Sequence, residues 1–273
     1  MSSTMQHIIM WSGGKDSTAT VLLFHQHESE LLKEGDTVVI NFVEVMFDLK
    51  NNISGHNPES VQFIYDTKKV FESWGYTVNI LHADKDFLTR FNEPLTRCKN
   101  PEDNGLKRGF PVSGGRCWVQ RDLKMKPLIM YKKSLKSEDV IEYVGIAVDE
   151  PERYASLTNS SHTATSLLVR YGLTEQDAKN LCRKNNMLSP HYQLNDGKQR
   201  RDGCWFCPHA KLCEHEAIRK SNPSAWEKYV SLENEPDLGY KHWNIYSSET
   251  LHNRDWKLRH AGEQLNMFDL LDS

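Results

Sequence analysis

The stretch His7-Ile8-Ile9-Met10-Trp11-Ser12-Gly13-Gly14-Lys15-Asp16-Ser17 decides the fold. Its first five residues form an unbroken bulky run, which predicts a short buried strand. The chain then enters a polar Gly-Gly loop. Behind the loop, residues 17–33 carry Ala19, Leu22, Leu23 and Leu31 at near-helical spacing. A strand, a glycine loop and a helix in that order present free backbone N–H groups and the positive end of a helix dipole to an anion. Gly13 and Gly14 permit a close backbone approach. Ser12, Ser17, Lys15 and Asp16 supply polar and charged side chains. The spacing is not GxxxxGK[ST], so this is not a Walker loop. A serine-capped Gly-Gly turn with no ligand is the purely structural alternative.

The segments on either side extend the same pattern. Residues 37–46 (TVVINFVEVM) read as a second buried strand, 58–74 as a helix ended by Gly75, and 76–81 as a third strand. A fourth strand is expected at 143–148. Strands alternating with helices predict an α/β fold with a Rossmann-like parallel sheet. Ligands of such sheets bind at the carboxyl ends of the strands. Residues 97–115, with four glycines and two prolines, are expected to form a long active-site loop. Past residue 155 the strand signals fade, and helices are expected at 174–185, 208–220 and 223–232. The expected organisation is a nucleotide-binding domain at 1–154 and a helical, cysteine-bearing extension at 155–273 packed on it.

Composition limits the classes of function. Lys and Arg total 34 and Asp and Glu 37, a net charge of −3 in 273 residues. A duplex-DNA binder working through phosphate contacts is usually more basic. Seven Trp, ten Tyr and 38% apolar residues argue against disorder. Six cysteines are too few for a disulfide framework at this length. The longest apolar stretch, 37–47, is broken by Asn41 and Glu44, so no membrane span or signal segment is expected. The expected setting is a reducing cytoplasm, where clustered cysteines serve as metal or redox ligands.

The cysteines are clustered. Cys204-Trp205-Phe206-Cys207-Pro208 is followed by Cys213. A C-x2-C turn can offer two thiolates to one metal centre. Pro208 is expected at the first helical position, with Cys207 as N-cap and Cys213 further along that helix. The best fourth ligand is Cys117; His209 is the back-up. If residues 116–126 are helical, Cys117, Arg121 and Lys124 share a face, and Pro127 ends the helix. Residues 116–136 hold seven bases and one acid in an acidic chain. Such charge suits a thiolate centre beside an anionic substrate; a solvated helix is the alternative. Asp149-Glu150-Pro151-Glu152-Arg153 follows the fourth strand. There Arg153 is expected to clamp a phosphate or sulfate, and an acid to hold Mg2+. The basic 197–202 loop suits a nucleic-acid or nucleotide phosphate, or plain solvent. Asp48 reads as an ordinary loop acid, Cys182 as core, and Cys98 as a loop thiol suited to carrying sulfur.

The 12–17 loop SGGKDS resembles the SGGxDS loop of the PP-loop superfamily, which includes ATP pyrophosphatases and adenylyl-sulfate reductases. More of the chain resembles the phosphoadenylyl-sulfate/adenylyl-sulfate reductase family in its short phage and bacterial branch. The matching pieces are SGGKDS at 12–17, GFPVSGGRCWVQRDLKMKP at 109–127, VGIAVDEPER at 144–153, MLSPHY at 187–192 and DGCWFCP at 202–208. The resemblance implies an adenine nucleotide alpha-hydrolase-like fold. It also implies ATP or an adenylyl sulfate as substrate and a [4Fe-4S] cluster. In adenylyl-sulfate reductases the cluster hangs on a Cys-Cys pair and a C-x2-C pair. Here Arg116-Cys117 stands at the first pair, and Cys213 is expected to replace the missing ligand. C-x2-C-x5-C also resembles the cluster-bearing subunit of bacterial DNA phosphorothioation systems. The implied cluster ligands are thus Cys117, Cys204, Cys207 and Cys213, with Zn2+ on the same thiolates as the alternative.

One departure bears on the reaction. The thiol-dependent reductases use a cysteine in a Glu-Cys-Gly-Leu-His motif near the C-terminus, whereas no cysteine follows Cys213 here. That favours a relative that attacks the ATP α-phosphate, releases pyrophosphate and transfers sulfur. Lys15, Asp16, Arg121, Lys124 and Arg153 are the expected catalytic residues, and residues 12–17 the nucleotide loop. Sulfite-releasing reduction is the alternative enzyme. A nucleotide- or nucleic-acid-binding component of a thiolation or defence assembly is the alternative of another class. The expected partners are an adenine nucleotide, a sulfur or electron donor, a nucleic acid or protein, and a second copy of the chain; a membrane is not among them.

Overall fold

The computed structural model describes residues 4–112, 117–135, 139–192, 203–244 and 247–261. Strand β1 (Gln6–Trp11) turns at Gly13, whose φ of +81° suits glycine, and leads into helix α1 (Lys15–Gln26). Strand β2 (Thr37–Val43), helix α2 (Pro58–Ser73) and strand β3 (Thr77–Leu81) follow. Helix α3 (Lys126–Ser134), strand β4 (Val140–Val144) and the short strand β5 (Ala164–Thr165) come next. The five strands form one parallel sheet in the order β3-β2-β1-β4-β5. The fold is therefore α/β with a Rossmann-like parallel sheet. From β1 the chain winds first toward β2 and later, on the other side, toward β4. The crevice at the carboxyl end of β1 is where such a reversal leaves room for a ligand. The 12–17 loop stands there.

Alternate strand residues serve different layers. Ile9, Trp11, Ile40, Phe42 and Val78 pack with Leu22, Phe24, Ile64 and Phe71 of α1 and α2. Met10 and Asn41 look to the opposite face, over which α3 lies beside β2.

Several expected elements end early. The 17–33 helix stops at Gln26, and only the turn Glu28–Leu31 follows. The 37–46 strand stops at Val43 because the chain changes partner. The Val45 carbonyl accepts from Gly55 N–H at 2.6 Å, within an antiparallel ribbon of Met46–Asp48 and Ile53–Ser54. The fourth strand is shifted back to Val140–Val144, since Gly145 abuts α1. The loop 97–115 is not wholly irregular, for Lys107–Gly109 pairs in parallel with Leu238–Tyr240.

Beyond residue 155 lie helices α4 (Glu175–Lys184), α5 (Leu212–Ser221), α6 (Pro223–Ser231) and α7 (Leu251–Arg259). The packing interleaves the two halves of the chain. The core under α1 and α2 also takes Leu167, Ala178 and Cys182. A second core joins Phe47, Phe87, Phe110 and Trp118 to Trp205, Phe206, Trp226 and Tyr229.

Candidate functional site

The 12–17 loop is tied internally. Ser17 Oγ accepts from Ser12 N–H and donates to the Gly14 carbonyl, both at 3.0 Å. Gly14 is the N-cap residue of α1, and its own side supplies no cap. Trp11 Nε1 donates to Thr18 Oγ1 at 3.0 Å and fixes the strand to the helix. Lys15 Nζ lies 2.8 Å from both Asp16 and Glu175. Burial opposes the Lys15 charge, but these two carboxylates outweigh it and raise its pKa. Burial likewise raises the Asp16 carboxyl, in spite of Lys15. Cys182 is core, as expected, and its thiol donates to the Lys15 carbonyl at 3.2 Å.

The Cys204–Cys207 turn is seated by its two aromatics. Trp205 N–H donates to the Gly55 carbonyl at 2.9 Å and Trp205 Nε1 to the Ser54 carbonyl at 3.0 Å. Tyr229 Oη donates to the Phe206 carbonyl at 3.0 Å. Cys204 is itself buried in the core that Trp205 and Phe206 fill, with Cys117 and Cys207 packed against it. His209 N–H donates to Cys207 Sγ at 3.4 Å.

The expected helix from Pro208 does not form. The Ala210 carbonyl is taken by Arg254 Nη1 at 2.8 Å, and α5 starts only at Leu212, with Lys211 as N-cap. Cys207 is therefore no helix cap, and Cys213 sits in the first turn of α5. The 116–126 segment is also not an ordinary helix. Val119–Met125 is π-helical, with more residues per turn, and Pro127 opens α3 instead of ending a helix. That winding separates the expected face. Lys124 turns inward, whereas Arg121 points to solvent and pairs with Asp122 at 2.6 Å.

One cavity of about 490 Å³ brings the two motifs together. Ser12 lines it, and so do Cys117, Cys204, Cys207, Lys124 and His209. Lys124 is hydrogen-bonded to Cys204. Charge on Cys204 raises its pKa, against the penalty of burial, and Cys207 and Cys117 act the same way. Burial raises the Cys204 and Cys117 thiols. Cys213, Arg121 and Arg153 do not line the cavity. Arg153 donates to Glu150 at 2.5 Å, at the start of the helix Pro151–Ser160. Asp48 accepts from Asn51 within its own turn, as a loop acid does. Cys98 stays in its loop, where its N–H donates to Asn104 Oδ1. Arg116 and the basic 197–202 loop lie outside the described residues.

Sequence reasoning missed two cavity residues. Asn41 reads only as a break in an apolar strand, and His56 as one of twelve histidines. Both are buried polar groups on the cavity wall. Burial, ahead of the charges of Lys124 and His191, pushes the His56 pKa down to about 3.

Among the described residues, no three His, Cys, Asp or Glu side chains stand close enough to grip one metal ion. Tetrahedral zinc with Zn–S bonds of ~2.3 Å needs its sulfurs roughly 3.8 Å apart. Nor is any helix of the described residues long and apolar enough to cross a membrane.

No protein-family model matches this chain, and no curated protein does. Among solved structures, it is similar to the U34-tRNA thiolase NcsA from Methanococcus maripaludis with its [4Fe-4S] cluster. The identity is 15%, the match covers 93% of this chain and 81% of that one, and the TM-score is 0.43.

Proposed function

We propose that this chain is a PP-loop enzyme that activates a substrate with ATP, releasing pyrophosphate, and handles sulfur at a thiolate-bound cluster. The observation that carries this reading is the shared cavity. The head of the anion loop and three cysteines open into the same space. Gly13, Gly14 and the first amides of α1 would hold the nucleotide phosphates. Lys15 would exchange a carboxylate for phosphate oxygen, and Lys124 would offset negative charge at the cysteine end.

Cys117, Cys204 and Cys207 are the ligands that the cavity favours for a [4Fe-4S] cluster, which would supply a sulfur-binding or electrostatic centre. Thiolates suit either that cluster or zinc, and metal analysis separates the two. Cys213, in the first turn of α5, does not line that cavity.

Anaerobic incubation with ATP, and separately with adenylyl sulfates, tests the reaction. Pyrophosphate release is the expected outcome. Sulfite release would replace activation by reduction, and neither product would sink both. The reconstituted protein should hold about four iron and four sulfide per chain. Cys117→Ser, Cys204→Ser and Cys207→Ser should each lose iron, while Cys213→Ser keeps it. A colourless protein with one zinc would refute the cluster.

A further inference from the structure

Two buried polar atoms on the cavity wall make no hydrogen bond: Asn41 Nδ2 and His56 Nε2. Asn41 is 1% exposed and His56 7%. A native structure rarely leaves such atoms unpaired unless a ligand or an ordered water meets them. Asn41 Oδ1 already accepts from Asn79 Nδ2 at 3.0 Å, so Asn41 offers the cavity only N–H groups. The Tyr131 phenol lies beside both asparagines, without meeting Asn41 Nδ2 in hydrogen-bond geometry. The His56 ring packs on Phe42 at 5.5 Å, and its main-chain N–H is held by Ser54 Oγ at 3.2 Å. With Nδ1 protonated, a neutral ring there presents Nε2 as an acceptor.

The wall thus carries one donor and one acceptor, with apolar surface from Met10, Phe42, Val43 and Leu128 and the Lys124 amine near His56. A flat heteroaromatic ring with an acceptor nitrogen beside an amino group is the complement. Adenine carries that pair on its edge. The position also fits. Asn41 pairs with Met10 in the β1–β2 register, so it lies roughly 6.6 Å behind Ser12 along the strand, at ~3.3 Å per residue. A base placed there hangs from phosphates at the 12–17 loop and reaches His56, which stands beside Lys124.

We propose that Asn41 and His56 are the base-reading residues of this site, hydrogen-bonding the purine of the nucleotide whose phosphates the 12–17 loop holds. The proposal rests on the nucleotide reading given above. Titrations of the full-length protein test it with ATP, purine riboside triphosphate, which lacks the 6-amino group, and inorganic tripolyphosphate. Wild-type protein should bind the purine analogue about tenfold more weakly than ATP, the loss expected for one unmade hydrogen bond. His56→Phe and Asn41→Leu should each lose about tenfold for ATP and bind tripolyphosphate as wild type does. Equal wild-type affinity for ATP and the analogue, or variants that keep full ATP affinity, would overturn base reading and leave nucleotide binding standing. Variants that bind ATP normally but no longer turn over would assign the wall to the acceptor instead, again overturning it. Wild-type protein that binds neither ATP nor tripolyphosphate would remove both readings. The analogue comparison uses unaltered protein, so it decides even if a variant fails to fold.

Discussion

A methyl group on residue 145 would lie 2.6 Å from the Ser17 nitrogen and 2.7 Å from the Asp16 carbonyl carbon. Both are backbone atoms, so no side chain can swing aside. Glycine at 145 is what lets the end of β4 touch the start of α1 and brace the 12–17 loop. Gly145→Ala should therefore destabilise the protein by about 1–3 kcal/mol through overpacking and weaken ATP binding. Urea unfolding and an ATP titration check this; unchanged values in both would show that the contact yields. At the same scale, Lys124 and Arg121 are three residues apart and equally basic, yet only Lys124 lines the cavity. Nothing in their identity or spacing tells them apart. The π winding of the backbone does, with Val119 and Leu123 buried in the second core.

The π-helical turn Val119–Met125 is held to its neighbour by charge. Asp122 accepts from Arg121 and from Arg90 of the helix Phe87–Asn92. Burial raises the Asp122 carboxyl, but the two guanidinium groups outweigh burial and bring its pKa down to about 2. A carboxyl depressed in the folded state stabilises the protein above its unfolded pKa of ~3.9. That contribution fades as pH falls from about 4 toward 2. Asp122→Asn should therefore lower stability at pH 7 and flatten the loss of stability across that acid range. Denaturant midpoints measured at several pH values check it, and parallel wild-type and variant curves would contradict it. Another element, the Cys204–Cys207 turn, owes its orientation to the Met46–Ser54 ribbon. Gly55 has Phe206 and the Val45 carbonyl so close that a side chain there would lift the turn off its seat.

Over the whole molecule, two cores share the work of placing one site. The first takes Leu167, Ala178 and Cys182 from beyond residue 154, and the second is built from both halves of the chain. A fragment of residues 1–154 would leave Phe47 and Phe87 without their partners Trp205 and Tyr229. It should aggregate or unfold without a cooperative transition, although it contains the whole phosphate loop. Circular dichroism melts of the fragment and the full chain test this. A sharp fragment transition near that of the full chain would contradict it.

The sequence by itself determined the parallel α/β sheet and the place of the 12–17 loop. Both follow from local signals: unbroken bulky runs for buried strands, a Gly-Gly break, and apolar spacing along a helix. It also marked the cysteines, because C-x2-C is a local spacing. Tertiary structure decided which cysteines meet the loop. It opened the cavity to Cys117, Cys204 and Cys207 and placed Cys213 in the first turn of α5, off that cavity. Tertiary structure alone also exposed Asn41 and His56. An unpaired polar atom is a relation among distant neighbours, and no run of sequence encodes it.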